Sequence, residues 1–412
     1  MKFEEFGLDE AILKGIQELG YKRPTDIQYK AIRPVLRGED VLAIAQTGTG
    51  KTAAFAIPVL NKLLKGKRST DGFVRCVVMV PTHELALQIS EAFQSMARFT
   101  KLVVTAIYGG VDQAPQIARL QQGVDVLVAT PGRLFDLVSQ KHLKLDLVEV
   151  LILDEADHML DMGFLKDIQD LIRYLPRKRQ TLFFSATIDA IIKKLAYSLV
   201  TKPIRIQISP KNPVAKNITH SVIFIGMDEK RFFLERVVNE NPESKILVFV
   251  RTKVRAERVH QAMLRVGINS VTMHSDKEQS DRLLSLNQFK QKEVRLLIAT
   301  DVSARGIDIA GVDYVVNYDI PDVAENYVHR VGRTGRGTAK GIAVSFCSDE
   351  EKGWLERIEE YIGQPVSVIK LDAEDYNTTI DFSKENKNDW RSLLKEEDAL
   401  ASQPNVKTRR KK

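Results

Sequence analysis

At 412 residues the chain is too long for one ordinary core, so two domains are expected, and its 44% hydrophobic and 28% charged composition is that of a globular protein. No apolar run reaches the roughly 18 residues that span a membrane, which excludes a membrane-spanning protein, and the net charge of +7 is a weak indication of an anionic partner. The acidic start MKFEEFGLDE, without the apolar core of a signal peptide, and two cysteines without metal-ligand spacing predict a reducing, cytoplasmic location.

Short apolar runs alternate with helix-length polar segments in the first half of the chain. The runs that predict strands are VLAIA (41–45), CVVMV (76–80), VDVLVA (124–129), VEVLIL (148–153) and TLFF (181–184). Continuous β-rich runs of this length are typical of parallel sheets that are covered on both faces. The alternation of strands with helical patterns therefore predicts a doubly wound α/β domain.

The first run leads into AQTGTGKT, residues 45–52, and then into a helical pattern. Gly48 and Gly50 would let backbone N–H groups turn toward a phosphate chain. Lys51 would neutralise the β and γ phosphates, and Thr52 would offer its hydroxyl to Mg²⁺. The usual phosphate-loop pattern begins with glycine, where this chain has Ala45. Because strand, loop and helix follow in order, a phosphate loop is favoured over a plain glycine-rich turn.

The stretch LILDEAD, residues 151–157, ends a predicted buried strand with a cluster of carboxylates. Asp154 stands where a phosphate-loop protein places its Mg²⁺-holding aspartate, and Glu155 can accept the proton of an attacking water. A plainer interpretation is a polar loop in which an aspartate caps the next helix. The phosphate loop upstream favours the metal site.

A second set of strands follows residues 202–220, a stretch with three prolines and no helical period that predicts a linker at 206–220. The runs are KILVFV (245–250), NSVTM (269–273), VRLLIA (294–299), VDYVVNY (312–318) and GIAVSF (341–346). Parallel sheets bind ligands beyond the carboxyl ends of their strands. Two sheets that face each other with polar strand ends would form a cleft with a site in it.

The segment HRVGRTGRG, residues 329–337, spaces three arginines by three residues. On a helix this spacing normally marks a solvated face, but the interleaved glycines disfavour a plain surface helix. Arg333 and Arg336 are predicted to reach phosphate oxygens from the second domain, as arginine fingers in cis.

The last segment, residues 371–412, is polar and ends in KTRRKK. Its low apolar content predicts a flexible tail. A solvated end is favoured over a phosphate-binding role for its cations.

These motifs together resemble the DEAD-box family of ATP-dependent RNA helicases, in family order from residue 3 to about 345. The matching motifs are GYKRPTDIQ (20–28, the Q motif), AQTGTGKT (45–52), PTHELALQ (81–88), GG (109–110), TPGR (130–133), DEAD (154–157), SAT (185–187), VFVRT (248–252), QSDR (279–282), ATDVSARGID (299–308) and HRVGRTGR (329–336). Within the family, the compact chain looks most like the bacterial RhlE-like branch.

The resemblance implies an α/β fold of two tandem RecA-like domains, each a mostly parallel sheet covered by helices. It places a Q-motif region at 1–30, an ATP-binding domain at 31–205 and a helicase C-terminal domain at 221–370. ATP, Mg²⁺ and RNA are the implied cofactors and partner, and a monomer is expected. The implied activity is unwinding of short RNA duplexes, without sequence specificity, by ATP-driven closure of the two domains. The alternative is an ATP-gated RNA clamp or remodelling factor that hardly unwinds; a DNA-directed or protein-remodelling ATPase is disfavoured.

The resemblance also implies roles for individual residues. Glu155 is the catalytic base, assisted by Lys51, Arg333 and Arg336, and the metal is held by Thr52 and Asp154. Nucleotide contacts are assigned to Phe3, Tyr21, Thr25, Gln28, Thr47, Gly48, Thr49, Gly50, Lys51, Thr52, Gly306 and Asp308. RNA contacts are assigned to Pro81, Thr82, Gly110, Thr130, Pro131, Gly132, Arg133, Thr252, Arg282 and Thr300. Coupling between the domains is assigned to Asp157, Ser185, Thr187 and His329.

One residue departs from the family pattern, which usually reads PTRELA where this chain reads PTHELA. Arginine is planar and always charged, whereas histidine is mostly uncharged near neutral pH. His83 therefore predicts either a weaker grip on RNA or a purely structural role that imidazole can fill.

Overall fold

Two parallel sheets with helices on both faces make up the fold. The computed structural model describes residues 2–46, 48–66, 73–188, 190–208, 214–215, 217–301, 309, 311–335, 340–381 and 383. Within these residues each sheet has seven strands, and every recorded pairing is parallel. The predicted fold class is confirmed.

The first sheet has the strand order β3-β4-β2-β5-β6-β1-β7. Its strands are β1 Val41–Ala45, β2 Cys76–Met79, β3 Val104–Ile107, β4 Val126–Ala129, β5 Val150–Leu153, β6 Gln180–Ser185 and β7 Ile204–Ile208. A 3₁₀ helix at Phe3–Phe6 precedes the α-helices Glu10–Glu18, Asp26–Leu36, Lys51–Leu63, His83–Met96, Ala114–Gln121, Pro131–Ser139, Ala156–Asp161, Leu165–Tyr174 and Ala190–Leu199.

Alternate residues of the central strands enter two different cores, one on each face of the sheet. In β1, Val41, Ala43 and Ala45 belong to one core, and Leu42 and Ile44 to the other. Successive side chains of a strand point to opposite faces, so a strand buried on both faces must be apolar throughout. The continuous runs in the sequence have this physical cause.

The second sheet has the strand order β10-β11-β9-β12-β13-β8-β14. Its strands are β8 Ile218–Phe224, β9 Ile246–Val250, β10 Ser270–Met273, β11 Leu296–Thr300, β12 Tyr314–Asn317, β13 Gly341–Cys347 and β14 Ser367–Val368. The helices are Lys230–Glu240, Lys253–Arg265, Gln279–Lys290, Ala324–Val331, a 3₁₀ turn at Asp349–Glu351, Lys352–Ile362 and Ala373–Asp381. Numbered within its own sheet, each order reads 3-4-2-5-6-1-7, so β8 occupies the place of β1.

The predicted linker is shorter than 206–220, because strands occupy both of its ends. β7 pairs with β1, and β8 pairs with β13. β7 lies at the edge of its sheet and is largely exposed, and its sequence IRIQI alternates instead of running apolar. A search for continuous apolar runs therefore misses it. The domain bounds themselves stay predictions.

The prediction of a flexible tail from residue 371 is wrong for its first part, where Ala373–Asp381 is a helix packed on Lys230–Glu240. The ring of Tyr376 lies 5.2 Å from that of Phe233, and Arg236 donates to Thr379 Oγ1 at 2.8 Å. Contacts of single side chains therefore hold a short helix whose sequence is largely polar. Residues 382 and 384–412, with the KTRRKK end, lie outside the described residues.

In the described parts of the chain, every helix is too short or too polar to cross a bilayer.

Candidate functional site

The loop after β1 has the backbone geometry of a phosphate-binding loop. Gly48 and Gly50 have φ of +79° and +93°, a region that side chains with a Cβ rarely adopt. Lys51 begins the helix that follows, and its Nζ donates to Ala45 O at 2.9 Å. Lys51 is only 6% exposed, so its ammonium lies at the end of the strand and faces the loop.

Two residues of the Q motif, both predicted to contact the nucleotide, hold this loop. Gln28 accepts from Thr25 N at 2.9 Å and donates from Nε2 to Gly50 O at 3.2 Å. Thr25 Oγ1 donates to Thr49 O at 2.8 Å. A Cβ on Gly50 would lie 2.5 Å from Gln28 Nε2, so only glycine fits there. The amide of Gln28 is thus engaged with the loop in this structure.

The two aromatic residues assigned to the nucleotide lie together, but only one of them faces the cavity. The rings of Phe3 and Tyr21 stack with their centroids 6.2 Å apart. Phe3 is buried in the core, whereas Tyr21 lines the cavity beside Gly48 and Lys51. Phe3 therefore supports Tyr21 from behind.

The carboxylates of the DEAD stretch lie where β5 ends. Asp154 continues the strand, with its N–H donating to Met79 O at 3.0 Å, and is 3% exposed. Glu155 has φ of +51°, an uncommon conformation for a residue other than glycine, at the start of the helix Ala156–Asp161. Because of this turn, the side chains of Asp154 and Glu155 point in different directions.

Burial and neighbouring charges move the pKa values of these two carboxyls in opposite directions. Burial raises the pKa of Asp154 to about 7, against the opposing charge of Lys51. Burial would also raise the pKa of Glu155, but the contact with His158 and the charges of Lys51 and Arg333 lower it to about 2. Glu155 is therefore ionised at neutral pH, whereas Asp154 is poised to lose a proton when a cation arrives.

The last carboxylate of the stretch, Asp157, joins the DEAD and SAT segments. Its Oδ2 accepts from Ala186 N and Thr187 N, both at 3.0 Å, and from Thr187 Oγ1 at 3.2 Å. Ser185 is fully buried, and its hydroxyl has no hydrogen-bond partner among the described residues. Of the predicted coupling residues of the first domain, Asp157 and Thr187 are thus in direct contact.

Arg333 of the second domain reaches the same cavity. A cavity of about 360 Å³ is lined by Lys51, Asp154 and Glu155 from the first domain and by Arg333 from the second. Arg333 is 3% exposed, and its Nε donates to His329 O at 3.2 Å. Arg330 instead binds both carboxylate oxygens of Asp301, at 2.6 and 2.7 Å, inside its own domain.

The donor set at the cavity fits a magnesium ion shared with a nucleotide. In the described residues no group of three or more His, Cys, Asp or Glu side chains could enclose a metal by itself. Mg²⁺ usually takes one or two carboxylates, with waters and substrate phosphates completing its shell. Asp154 supplies a buried carboxylate of raised pKa and Thr52 a hydroxyl on the same wall.

Three predicted RNA contacts are threonines that directly precede helices. They are Thr82 before His83–Met96, Thr130 before Pro131–Ser139 and Thr252 before Lys253–Arg265. Thr82 Oγ1 accepts from Leu85 N at 3.3 Å, and Thr252 Oγ1 from Arg255 N at 3.1 Å. Free N–H groups and the helix dipole make such helix starts suitable for phosphate oxygens.

The remaining predicted RNA contacts adjoin these helix starts. Gly110 has φ of +74°, and Arg133 donates to Val111 O at 2.8 Å. Arg133 Nε and Nη1 are buried and have no hydrogen-bond partner in the part of the chain that is described. Pro81, Pro131, Gly132 and Thr300 lie at the corresponding strand ends and helix starts.

A contact between the domains was missed by sequence reasoning. Glu84 Oε1 accepts from Gln279 Nε2 at 3.1 Å and lies 2.8 Å from Arg282 Nη2. Glu84 is 3% exposed. In the sequence, an acidic residue in the first turn of a helix indicates no more than a dipole contact. Arg282, predicted to bind RNA, is here paired across the domain boundary.

His83 lies at this boundary as well. Its ring centroid is 5.6 Å from that of Tyr108, and it borders the Gly110 turn. Burial lowers its pKa, so the imidazole is neutral at physiological pH. The sequence left open whether His83 weakens the grip on RNA or has a purely structural role. This packing favours the structural role.

Four predicted site residues lie outside the described residues: Thr47, Gly306, Asp308 and Arg336. Their roles stay predictions.

Comparisons with known protein families agree with this geometry. A family model described as DEAD/DEAH box helicase matches residues 25–195, and one described as helicase conserved C-terminal domain matches residues 229–338. The chain is 39% identical over 378 residues to the DEAD-box ATP-dependent RNA helicase RhpA of Helicobacter pylori, covering 92% of this chain and 76% of that protein. It is 41% identical over 359 residues to the ATP-dependent RNA helicase CshA of Listeria monocytogenes, covering 87% and 68%.

Solved structures with a similar fold were captured with RNA and nucleotide analogues. S. cerevisiae Dbp5 bound to RNA and ADP BeF3 has a TM-score of 0.82 and 29% identity, covering 94% of this chain and 100% of that one. Mss116p bound to ssRNA and AMP-PNP has a TM-score of 0.80 and 26% identity, covering 97% and 84%.

Proposed function

This chain belongs to the DEAD-box family of ATP-dependent RNA helicases, and we propose that it hydrolyses ATP in the cavity lined by Lys51, Asp154, Glu155 and Arg333. As a member of that family it is an RNA-stimulated ATPase, and the alternative of a clamp that hardly unwinds is not favoured. The observation that supports the proposed site best is that Arg333 of the second domain lies beside two catalytic candidates, Lys51 and Glu155, and the predicted metal ligand Asp154 of the first.

The phosphates of ATP are proposed to lie along the loop at Gly48 and Gly50, with Lys51 beside the β and γ phosphates. The pKa of Glu155 is depressed by His158, Lys51 and Arg333, and binding ATP then places negative charge near Lys51 and Arg333. With those cations occupied, Glu155 becomes a stronger proton acceptor than in the empty site. This shift links the base to the presence of its substrate.

Hydrolysis is proposed to proceed by in-line attack of a water on the γ phosphorus. A bond forms from the water oxygen to phosphorus, the bond to the ADP oxygen breaks, and Glu155 accepts the water proton. Arg333 stabilises the charge on the phosphoryl oxygens. Asp154 and Thr52 would hold Mg²⁺, which would neutralise phosphate charge.

RNA is proposed to lie across both domains at the carboxyl ends of β2, β4 and β9, held mainly by its phosphates. The helix starts at Thr82, Thr130 and Thr252 supply N–H groups to these phosphates. The closed arrangement, with Glu84 against Arg282, brings those helix starts and Arg333 into place together. Because both ligands favour the closed form, each strengthens binding of the other.

Three finer expectations are proposals as well. We infer that the protein acts as a monomer in the cytoplasm and that it belongs to an RhlE-like branch of the family. Size-exclusion chromatography with light scattering measures the first of these directly.

The function is tested by measuring ATP hydrolysis with a panel of nucleic acids and strand displacement on short RNA duplexes. We expect stimulation by single-stranded RNA of varied sequence, little stimulation by DNA of the same sequence, and ATP-dependent release of one RNA strand. Equal stimulation by DNA would argue for a DNA-directed ATPase, and RNA stimulation without displacement would revive the clamp.

A further inference from the structure

The second domain holds a larger cavity that no sequence motif predicts. Its volume is about 810 Å³, and its wall includes Met227, Lys253, His274 and Tyr318. These residues follow the ends of β8, β9, β10 and β12, so the cavity lies beyond the carboxyl edge of the second sheet. This edge is where open parallel sheets bind their ligands.

Cations predominate along this cavity. Five basic side chains line it, against three acidic ones: Arg231, Lys253, Arg255, Arg258 and Arg265 against Asp228, Glu257 and Asp276. Two of the acidic side chains already have partners inside the domain. Asp276 Oδ2 lies 2.5 Å from Lys253 Nζ, and Glu257 Oε1 accepts from Thr272 Oγ1 at 2.6 Å. The surplus charge is therefore carried by arginines.

Two of these arginines have unused hydrogen-bonding capacity. Arg255 pairs with Asp319 at 3.2 Å, but its Nε is buried and has no partner among the residues described. Arg258 is exposed, and within the described chain it takes part in no hydrogen bond or ion pair. The unused donors of Arg255 and Arg258 indicate an anionic ligand that enters the cavity from the solvent.

The fold excludes a second nucleotide as that ligand. Because β8 occupies the place of β1, Lys230 at the start of the next helix corresponds to Lys51. Lys230 is fully buried, with its Nζ 2.5 Å from Glu351 Oε2 and 2.7 Å from Tyr318 O. A carboxylate of the chain itself thus fills the position that a phosphate takes in the first domain. An anion can bind only farther out, along the arginines.

We propose that the arginine groove, formed by Arg231, Arg255, Arg258 and Arg265, binds phosphates of RNA that extends beyond Thr252. The groove begins at Lys253, the residue after Thr252, so it continues the proposed RNA path without a break. Arg258 and Arg265 are seven positions apart on one helix, which places them about 10 Å apart on one face. They reach different phosphates of one strand. The proposal rests on the proposed RNA-binding function of the helix start at Thr252.

The test compares a short RNA, just long enough to saturate the ATPase, with the same RNA extended at either end. Arg258→Glu combined with Arg265→Glu is expected to weaken binding of the extended RNA about tenfold or more. Each lost phosphate contact should flatten the slope of log affinity against log salt by about 0.7. Affinity for the short RNA and the maximal ATPase rate should stay unchanged, because neither arginine lies in the ATP cavity.

A control for the effect of one charge reversal is Arg357→Glu, at an exposed position of the helix Lys352–Ile362. The pair Arg258→Ala and Arg265→Ala gives a milder form if charge reversal impairs folding. If the affinity for the extended RNA and its salt slope stay unchanged, the proposal that the arginine groove binds RNA is wrong. A protein partner would then be the better occupant. A wild-type protein that ignores even the short RNA would instead contradict the proposed function.

Discussion

Asp154 and Glu155 are adjacent in the chain, yet their surroundings give their carboxyl groups opposite acidities. Asp154 ends a buried strand, and burial raises its pKa to about 7. Glu155 faces His158, Lys51 and Arg333, and their influence outweighs burial and lowers its pKa to about 2. Two carboxylates of the same local sequence can thus take the separate parts of metal ligand and base.

The raised pKa of Asp154 predicts that ionisation of this carboxyl lowers the free energy of unfolding of the metal-free protein at high pH. The folded pKa lies above the usual 3.8, so the favourable contribution of the protonated form is lost as pH rises toward and through 7. Asp154→Asn removes that loss. With chelator present and no nucleotide, the variant should unfold at a higher temperature than wild type at pH 8. The corresponding difference in the free energy of unfolding is on the order of a few kcal/mol. At pH 4 the two proteins should unfold at nearly the same temperature.

Thermal unfolding across this pH range measures the difference. Adding Mg²⁺ with a non-hydrolysable ATP analogue should stabilise wild type more than the variant at pH 8. A constant difference between the two proteins at all pH values would contradict the assignment.

Residue identity in the ATP site was largely predictable, because each residue follows a buried strand in a set order. Asp154 and Glu155 directly follow an apolar run, and Lys51 begins the helix after the glycine-containing loop that follows another. The contacts of Gln28 were not predictable, since its bonds to Thr25 and Gly50 depend on how a separate helix packs against the loop. Short-range sequence patterns do not contain that packing.

At the scale of elements, one buried carboxylate holds together the carboxyl edge of the second sheet. Glu351 Oε1 lies 2.8 Å from Arg251 Nη2 and accepts from Ile320 N at 3.1 Å. Glu351 Oε2 lies 2.5 Å from Lys230 Nζ and accepts from Ser348 N at 3.1 Å. The ends of β9, β12 and β13 and the start of the helix Lys230–Glu240 thus share one anion.

Removing that charge should destabilise the second domain strongly. Glu351→Gln leaves Lys230 charged and fully buried, and breaking a buried pair in this way costs about 3–5 kcal/mol. Urea denaturation of the full chain measures the loss, with Glu350→Gln, an exposed neighbour, as the control. A loss equal to that of the control would show that the second carboxylate near Lys230, Asp319 Oδ1 at 3.7 Å, suffices to neutralise it.

The sequence predicted the strands that are buried on both faces, and it missed elements that are buried on one face only. The central strands of both sheets appear as apolar runs, because both of their faces lie in a core. The edge strand β7 and the helix Ala373–Asp381 bury only one face or a few side chains. Their sequences therefore resemble linker and tail.

At the scale of the whole molecule, two sheets of one strand order are used for different purposes. In the first domain Lys51 donates to the backbone carbonyl of Ala45 and lines the ATP cavity, whereas in the second domain Glu351 neutralises the corresponding Lys230. The second domain then contributes Arg333 to the cavity of the first and Arg282 to Glu84. The sequence predicted the two domains and the arginine, whereas the Glu84 contact depends on how the domains meet.

The central claim is that Glu155 is the base of an ATPase site completed by Arg333, and Glu155→Gln tests it most directly. Glutamine keeps the size and polarity of the side chain but cannot accept the water proton. RNA-stimulated ATP hydrolysis should fall by about 10²–10⁴-fold, while binding of ATP and RNA is retained. Glu18→Gln, at the exposed ion pair with Arg98, controls for the same chemical change elsewhere. Hydrolysis by Glu155→Gln at a rate near that of wild type would contradict the account.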